Sequence, residues 1–213
     1  MKFQTLVHIS SSILLNSVAR LHVEGRHHAQ AKTPLIICAN HLTRWDPPAM
    51  YMMLPRGTNI MPVIGEKWRK TWFFRWLFDN MDCVWIRPDE IDRDTLKQIL
   101  LALKAGRSLG VAPEGTRSKT GGLQLAKPGA AWLARASGVP VLPMALWGVE
   151  SIQPNLKRLR RTDVYIRIGA PFIVSRDLSI EEGTLQIMRS IAVMLPENYR
   201  GVYANGLREG AFF

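Results

Sequence analysis

The chain has 213 residues, 47% of them apolar, and a formal net charge of +11. That length fits one sizeable α/β domain with its own core, and that apolar content excludes global disorder. The charge implies anionic partners: phospholipid surfaces, nucleic acid or phosphorylated substrates. No recognisable nucleic-acid module accompanies it, so no nucleic-acid partner is expected.

The first element is expected over residues 1–20. Phe3 to Leu21 is apolar in patches, broken by Gln4, His8, the Ser10-Ser11-Ser12 run, Asn16 and Arg20. A spanning helix needs about 20 predominantly apolar residues, and a secretory signal needs an unbroken apolar centre. An amphipathic helix, lying on a membrane or docked on the domain, fits better. Residues 21–213 are then read as one domain. Leu21 to Gly25 alternates apolar and polar residues like an edge strand. Leu35 to Ala39 is a continuous apolar run, which suits a strand buried on both faces. Pro47-Pro48 suits a first helical turn, so Asp46 reads as the N-cap of a helix that runs to Leu54 and stops at Pro55-Arg56-Gly57. Ile60 to Ile64 is a second buried strand candidate.

Lys67 to Phe78 interleaves six aromatic residues with Lys67, Arg69, Lys70 and Arg75. Rings beside basic heads suit a bilayer interface. A helix packing a broad apolar face on a sheet would carry a similar stripe. A mixed role is expected, part packing and part membrane or acyl-chain contact. Cys83 to Ile86 is a short strand ending at Arg87-Pro88. Leu96, Ile99, Leu100 and Leu103 recur at helical spacing, with Gly106 as the stop. Leu109 to Ala112 is a strand that delivers Pro113-Glu114-Gly115-Thr116-Arg117-Ser118. Ala130 to Ser137 reads as a helix closed by Gly138. Pro140 and Pro143 mark Val139 to Leu146 as an edge-like or bulged strand. Lys157 to Arg161 is the densest basic cluster, either a solvated loop or a membrane contact. Val164 to Ile168 is the last strand. Ser179-x-x-Glu182 is a capping box for an amphipathic helix ended by Pro196. Alternating strands and helices, with no linker or repeat, predict a single α/β domain with a mixed sheet flanked by helices.

Two stretches carry chemistry. His41 lies on the loop after a buried strand, where open α/β sheets place their reactive groups. Asp46 is five residues on, a spacing that does not stack side chains on a regular helix. A loop that folds back can join them. Asp46 then holds one ring nitrogen as a donor and leaves the other to accept a proton. Taken alone, His41 reads as a solvated loop histidine and Asp46 as a cap. Their weight comes from Glu114-Gly115-Thr116-Arg117-Ser118 after another apolar strand. Cys38, three residues before His41, is a conceivable nucleophile, but a thiol inside a buried strand is inert. Cys38 and Cys83 both read as buried thiols. They suggest neither a disulfide framework nor a metal site. No Gly-x-Ser-x-Gly elbow is present, which argues against a serine hydrolase.

Asn40-His41-x4-Asp46 and Glu114-Gly115-Thr116-Arg117-Ser118 together resemble the glycerolipid acyltransferases, the family of lysophosphatidic acid acyltransferase. The resemblance runs from about Val23 to Tyr203. Arg87 takes the place of the family's second block, and Val141-Leu142-Pro143 that of its fourth. It implies a glycerol-3-phosphate acyltransferase-like fold. The implied reaction is acyl transfer from acyl-CoA or acyl-carrier protein to the hydroxyl of 1-acylglycerol-3-phosphate or a related lysophospholipid, within phospholipid biosynthesis. His41 is implied as general base and Asp46 as its orienting partner. Arg87 and Arg117 would bind the acceptor's phosphate, with Lys67 assisting as a point charge. Glu114 would accept a hydrogen bond from a substrate hydroxyl or orient Arg117. Gly115 would let the backbone approach the ligand, and Thr116 completes the substrate-binding motif. No metal or bound cofactor is expected. Peripheral attachment to a phospholipid surface on the cytoplasmic face is. Glycerol-3-phosphate or another lyso-lipid is an alternative acceptor. A non-catalytic basic protein binding membrane or nucleic acid is the alternative of another class.

Overall fold

In the computed structural model, which describes residues 3–30, 33–87 and 93–205, the apolar run at 35–39 forms β2 (Ile36–Ala39), buried along its whole length. Ile37 and Ala39 join one core and Ile36 and Cys38 the other, on opposite faces of the sheet, as the two-residue period of a strand requires. The same alternation divides β6 (Val141–Trp147), where Leu142, Met144 and Leu146 face one core and Val141 and Ala145 the other.

Seven strands form one sheet in the order β1-β7-β6-β2-β5-β3-β4. The others are β1 (Ala19–Glu24), β3 (Ile60–Gly65), β4 (Val84–Ile86), β5 (Ser108–Val111) and β7 (Thr162–Ile168). All pairings are parallel except β6 with β7. The sheet is therefore mixed, and β1 is the edge strand its alternation predicts. β2, β5, β3 and β4 run in one direction, so the loops that follow them open at one edge of the sheet.

Helices cover both faces. α1 (Phe3–Val18) and α2 (Asp46–Tyr51) lie over one core. α4 (Arg93–Lys104), α5 (Gly129–Ser137) and α7 (Ile180–Ala192) lie over the other. α3 (Trp72–Asp79) links β3 to β4, and α6 (Ile152–Leu156) precedes β7. Gly138 closes α5 in the left-handed conformation, at φ 70°, where a β-carbon is penalised. The capping box opens α7: Ser179 Oγ accepts from the Glu182 amide at 3.1 Å, and Glu182 accepts from the Ser179 amide at 2.7 Å.

α1 is stitched to the domain and runs straight into β1. Leu15 is fully buried, which contributes about 1.5–3 kcal/mol. His8 Nε2 bonds the Leu54 carbonyl at 3.0 Å, and the Tyr51 hydroxyl donates to the Gln4 carbonyl at 2.9 Å. Gln4 donates to the Ile60 carbonyl and accepts from the Ile60 amide. Its outward side carries the exposed Leu6, Ile13 and Leu14.

Three readings need correction. β6 is central, not edge-like, despite Pro143. Val141 exchanges both backbone hydrogen bonds with Phe172, and the Pro143 carbonyl accepts from Gly169. Pro143 thus faces the break at residues 169–171, where the neighbouring chain has left the ladder and no donor is needed. α2 ends at Tyr51 and continues to Leu54 only as turns. Cys83 is half-buried, not buried. Of the mixed role expected for the aromatic run, the packing share in α3 is small: Phe78 lies against the core, none of the helix's residues is buried, and Trp72 is 78% and Trp76 50% exposed.

Asn40 extends β2 beyond its last backbone pair. Its Nδ2 donates to the Leu146 carbonyl and its Oδ1 accepts from the Leu146 amide, both at 2.8 Å in the interior. The carboxamide thus imitates a strand backbone. Asn40→Ala leaves both Leu146 groups buried without partners, at about 1–3 kcal/mol for each. Urea unfolding is expected to show a lower midpoint at unchanged m-value. An unchanged midpoint would show that the pairing contributes nothing net.

Candidate active site

His41 stands directly after β2 and its pseudo-strand residue Asn40. The chain then turns sharply, because one carboxylate gathers the loop's donors. Asp46 Oδ2 accepts from His41 Nδ1 at 2.8 Å, from the Leu42 amide at 2.6 Å and from the Thr43 amide at 2.7 Å. Its Oδ1 accepts from the Thr43 hydroxyl at 3.2 Å. Thr43 Oγ1 in turn receives the Trp45 amide at 3.0 Å. A five-residue separation is thereby closed in space. Asp46 is buried, while a quarter of the His41 side chain is exposed. The acceptor at Nδ1 assigns the ring proton to that nitrogen and leaves Nε2 as the basic one.

This corrects the expectation for Asp46. It is the first residue of α2, and Trp45 occupies the cap position with no side-chain bond. The carboxylate turns back to amides that precede the helix instead of forward to those within it. Pro47 has no amide to offer, and the loop has two, so the loop takes the carboxylate.

The turn after β5 holds His41 from the other side. Glu114 is 3% exposed. Its Oε1 accepts the His41 amide and its Oε2 the Gln124 amide, each at 2.9 Å. The Ser118 amide donates to the His41 carbonyl at 2.7 Å. Both backbone polar groups of His41 are thus bound to the Glu114–Ser118 segment. Burial pushes the Glu114 carboxyl above its usual range, and the amides from Gln124 and His41 oppose that rise. Each Glu114 oxygen serves a backbone amide in the interior, a structural task beyond the roles expected for it, orienting Arg117 or meeting a substrate hydroxyl.

Gly115 has a structural reason beside the expected approach of a ligand. It adopts φ +70°, and a β-carbon there would lie 3.1 Å from the Lys127 side chain. The left-handed turn conformation alone favours glycine. Thr116 and Arg117 follow in the open, both exposed. Lys67 is exposed just after β3. Arg87, exposed just after β4, donates through Nε to Glu66 at 2.7 Å, which holds the Glu66 carboxyl below its usual range. Pro88 lies outside the described residues. Sheet order then ranks the cationic groups. Arg117 follows the strand next to β2, whereas Arg87 follows a strand three spacings away, roughly 14 Å along the edge.

Several functional residues carried no role in the sequence reading. Asn40, Thr43 and Ser118 belong to the recognised motifs, yet only the fold shows what each bonds. The C-terminal segment is a brace. Tyr199 accepts the Leu123 amide through its carbonyl, and the Ala126 amide donates to the Tyr203 hydroxyl at 3.3 Å. These contacts fix the stretch that presents Gln124 to Glu114. Cys38, fully buried, has its thiol pushed up to about 12 by burial, so it cannot supply a thiolate near neutral pH.

Known proteins resemble this chain in sequence and in fold. The profile of the Acyltransferase family matches residues 20–147, which include both motifs. The chloroplastic 1-acyl-sn-glycerol-3-phosphate acyltransferase BAT2 of Brassica napus is 32% identical over 197 residues, 85% of this chain and 54% of that protein. A probable 1-acyl-sn-glycerol-3-phosphate acyltransferase of Mycoplasma genitalium is 31% identical over 143 residues, 62% of this chain and 51% of that protein. The chain spans about half the length of these curated relatives. Its fold is shared with the 1-acyl-sn-glycerophosphate acyltransferase PlsC of Thermotoga maritima, at a TM-score of 0.75 and 24% identity over 98% of this chain and 81% of that one. With more than half of its residues matched by that profile, this chain belongs to the acyltransferase family.

Proposed function

We propose that the chain moves a fatty acyl group from a thioester, acyl-CoA or acyl-carrier protein, to the free hydroxyl of 1-acylglycerol-3-phosphate or a related lysophospholipid. The observation that carries this reading is the His41–Asp46 pair, closed at 2.8 Å and clamped by the Glu114–Ser118 turn. The names of the two sequence relatives support the acceptor. In the reaction, the acceptor's hydroxyl oxygen attacks the thioester carbonyl carbon while His41 Nε2 takes the hydroxyl proton. The new C–O bond forms, the tetrahedral adduct collapses, and the C–S bond breaks. The leaving thiolate takes the proton from the imidazolium. Asp46 orients the ring throughout and offsets its transient charge. Arg117 and Arg87 suit the acceptor's phosphate, since a guanidinium meets phosphate with two parallel donors. Arg87 must exchange Glu66 for the substrate. Lys67 adds a point charge, and the Thr116 hydroxyl adds a donor.

The protein works at the cytoplasmic face of a membrane in this reading, attached without spanning. Among the described residues no helix is long and apolar enough to cross a bilayer. Thiol release from acyl-CoA that depends on added lysophospholipid tests the reaction. An acceptor panel at one fixed donor separates 1-acylglycerol-3-phosphate from glycerol-3-phosphate and other lyso-lipids.

His41→Ala is expected to lose on the order of 10²–10⁴ in kcat while its circular dichroism is unchanged. A folded variant with near-normal kcat would sink the assignment. Asp46→Asn separates charge from geometry. The amide oxygen can take the three donors at Oδ2, and its NH₂ can donate to Thr43 Oγ1, so the loop keeps its shape. A slow Asp46→Asn enzyme with wild-type stability is expected.

Arg117→Ala and Arg87→Ala are expected to raise the acceptor's KM, and to lower kcat as well where the contact positions the hydroxyl. Steady-state kinetics with each substrate varied in turn decide this. A defect confined to the thioester would place these arginines in the donor site.

Glu114→Gln keeps one acceptor oxygen and points an NH₂ at the other backbone amide. One buried donor is left unpaired, at about 1–3 kcal/mol. A lower unfolding midpoint and a lower kcat are expected together, because the same bond holds His41. An unchanged kcat would separate Glu114 from the catalytic loop.

A further inference from the structure

We propose that the groove lined by Arg69, Lys70, Trp72, Arg75, Trp76 and Asp79, on the outer side of α3, holds the phosphate headgroup of an anionic phospholipid at the bilayer surface. The groove has a volume of about 290 Å³ and lies away from the His41–Asp46 pair. Three cations and one carboxylate line it. That carboxylate, Asp79, is already engaged, by Arg75 at 3.6 Å and by the Trp85 indole at 2.9 Å. The net charge facing solvent is therefore positive, complementary to a phosphate. Guanidinium groups at residues 69 and 75 offer the paired donors a phosphate accepts.

The rings say what kind of phosphate it is. Trp72 is 78% exposed and Trp76 50%. Indoles so placed beside cations suit the level of a lipid headgroup, with an apolar body toward the chains and a polar tip toward water. A free phosphate in water gives them nothing to cover. The surface continues beyond the groove. Phe3 meets Trp76 edge-on at 5.4 Å, and Phe3 begins α1, which contains no charged residue and leaves Leu6, Ile13 and Leu14 exposed. On the other side, Trp68 contacts Phe74 at 5.0 Å and lies under the Arg44 guanidinium at 5.7 Å. Arg44 belongs to the His41–Asp46 loop, so a run of ring contacts through Phe73, Phe74 and Trp68 links the groove to that loop.

This inference rests on the interfacial part of the proposed function. Its test reads binding without turnover, using the full chain with His41→Ala. The probes are vesicles of phosphatidylcholine alone and of phosphatidylcholine mixed with phosphatidic acid. Adding Arg69→Ala and Arg75→Ala is expected to lower partition onto the anionic vesicles by roughly thirtyfold. Adding Lys157→Ala and Arg158→Ala removes the same charge from the exposed loop before β7 and is expected to cost less than about threefold. Trp72→Ala with Trp76→Ala is expected to weaken binding even at high salt, since salt does not screen the apolar contribution. Equal losses from the two charge pairs would overturn the site in favour of a diffuse field. Equal binding to both kinds of vesicle, or no loss from the residue 69 and 75 changes, would overturn it outright. Acyl transfer to detergent-dispersed lysophospholipid by the otherwise unchanged protein is measured alongside. Its failure removes the acyltransferase reading and leaves the vesicle result intact.

Discussion

The site depends on a buried carboxylate whose two oxygens each accept a backbone amide. Glu114 accepts the amides of His41 and Gln124 from inside the domain. A carboxylate out of water is costly unless donors replace its hydration. Two backbone amides do so here, and each would itself be a buried orphan without the carboxylate. The arrangement is reciprocal, so the loop after β2 and the turn after β5 are one structural unit. The Ser118 amide on the His41 carbonyl closes the same unit from the other side. Motifs separated by more than seventy residues in sequence are joined because β2 and β5 are parallel neighbours, and parallel neighbours present their following loops side by side.

Most elements were legible in the chain because their periods are strong. The four buried residues of β2, the capping box of α7 and the glycine that closes α5 each follow from a local rule that tertiary structure did not override. Pro143 misled because proline excludes only a donor, not a central position. The strand tolerates it where its partner breaks at residues 169–171. Asp46 misled for a related reason. Its type and its place before two prolines signal a cap, but a carboxylate goes to whichever amides are free, and those of Leu42 and Thr43 lie behind it. That choice cannot be read from spacing alone, because it depends on the loop already being folded back.

Of the candidate site, the motif residues could be found in the sequence and their supports could not. His41, Asp46 and the Glu114–Ser118 turn are visible as a pair of motifs. That Glu114 is a strut, that Asn40 pairs with the Leu146 backbone, and that the segment ending in Tyr203 braces Gln124 all concern contacts across the sheet. No local pattern encodes such a contact. Arg87 shows the limit from the other direction. It ends a short strand as expected, yet that strand is the outer one of the sheet, and its guanidinium is already paired with Glu66.

The His41–Asp46 loop is therefore unequally held. Its inner side is fixed by Glu114, Ser118 and Asn40, all through backbone-directed hydrogen bonds that admit little play. Leu42 and Trp45 pack against the core, and at the loop's rim Arg44 lies over Trp68 in an exposed cation–π contact of about 0.5–1 kcal/mol. Trp68 belongs to the same run of rings that leads through Phe74 and Phe73 to the exposed indoles of α3. A loop anchored this way leaves play at the Arg44 side chain while Asp46 and Glu114 hold His41. That asymmetry suits the proposed acyl transfer, in which the acceptor stays partly in lipid. The proposed base would stay fixed relative to the hydroxyl, while the rim would admit substrates of two different solubilities. Rigidity at Glu114 and adaptability at Trp68 would then be two requirements of that proposed reaction, met on opposite sides of seven residues.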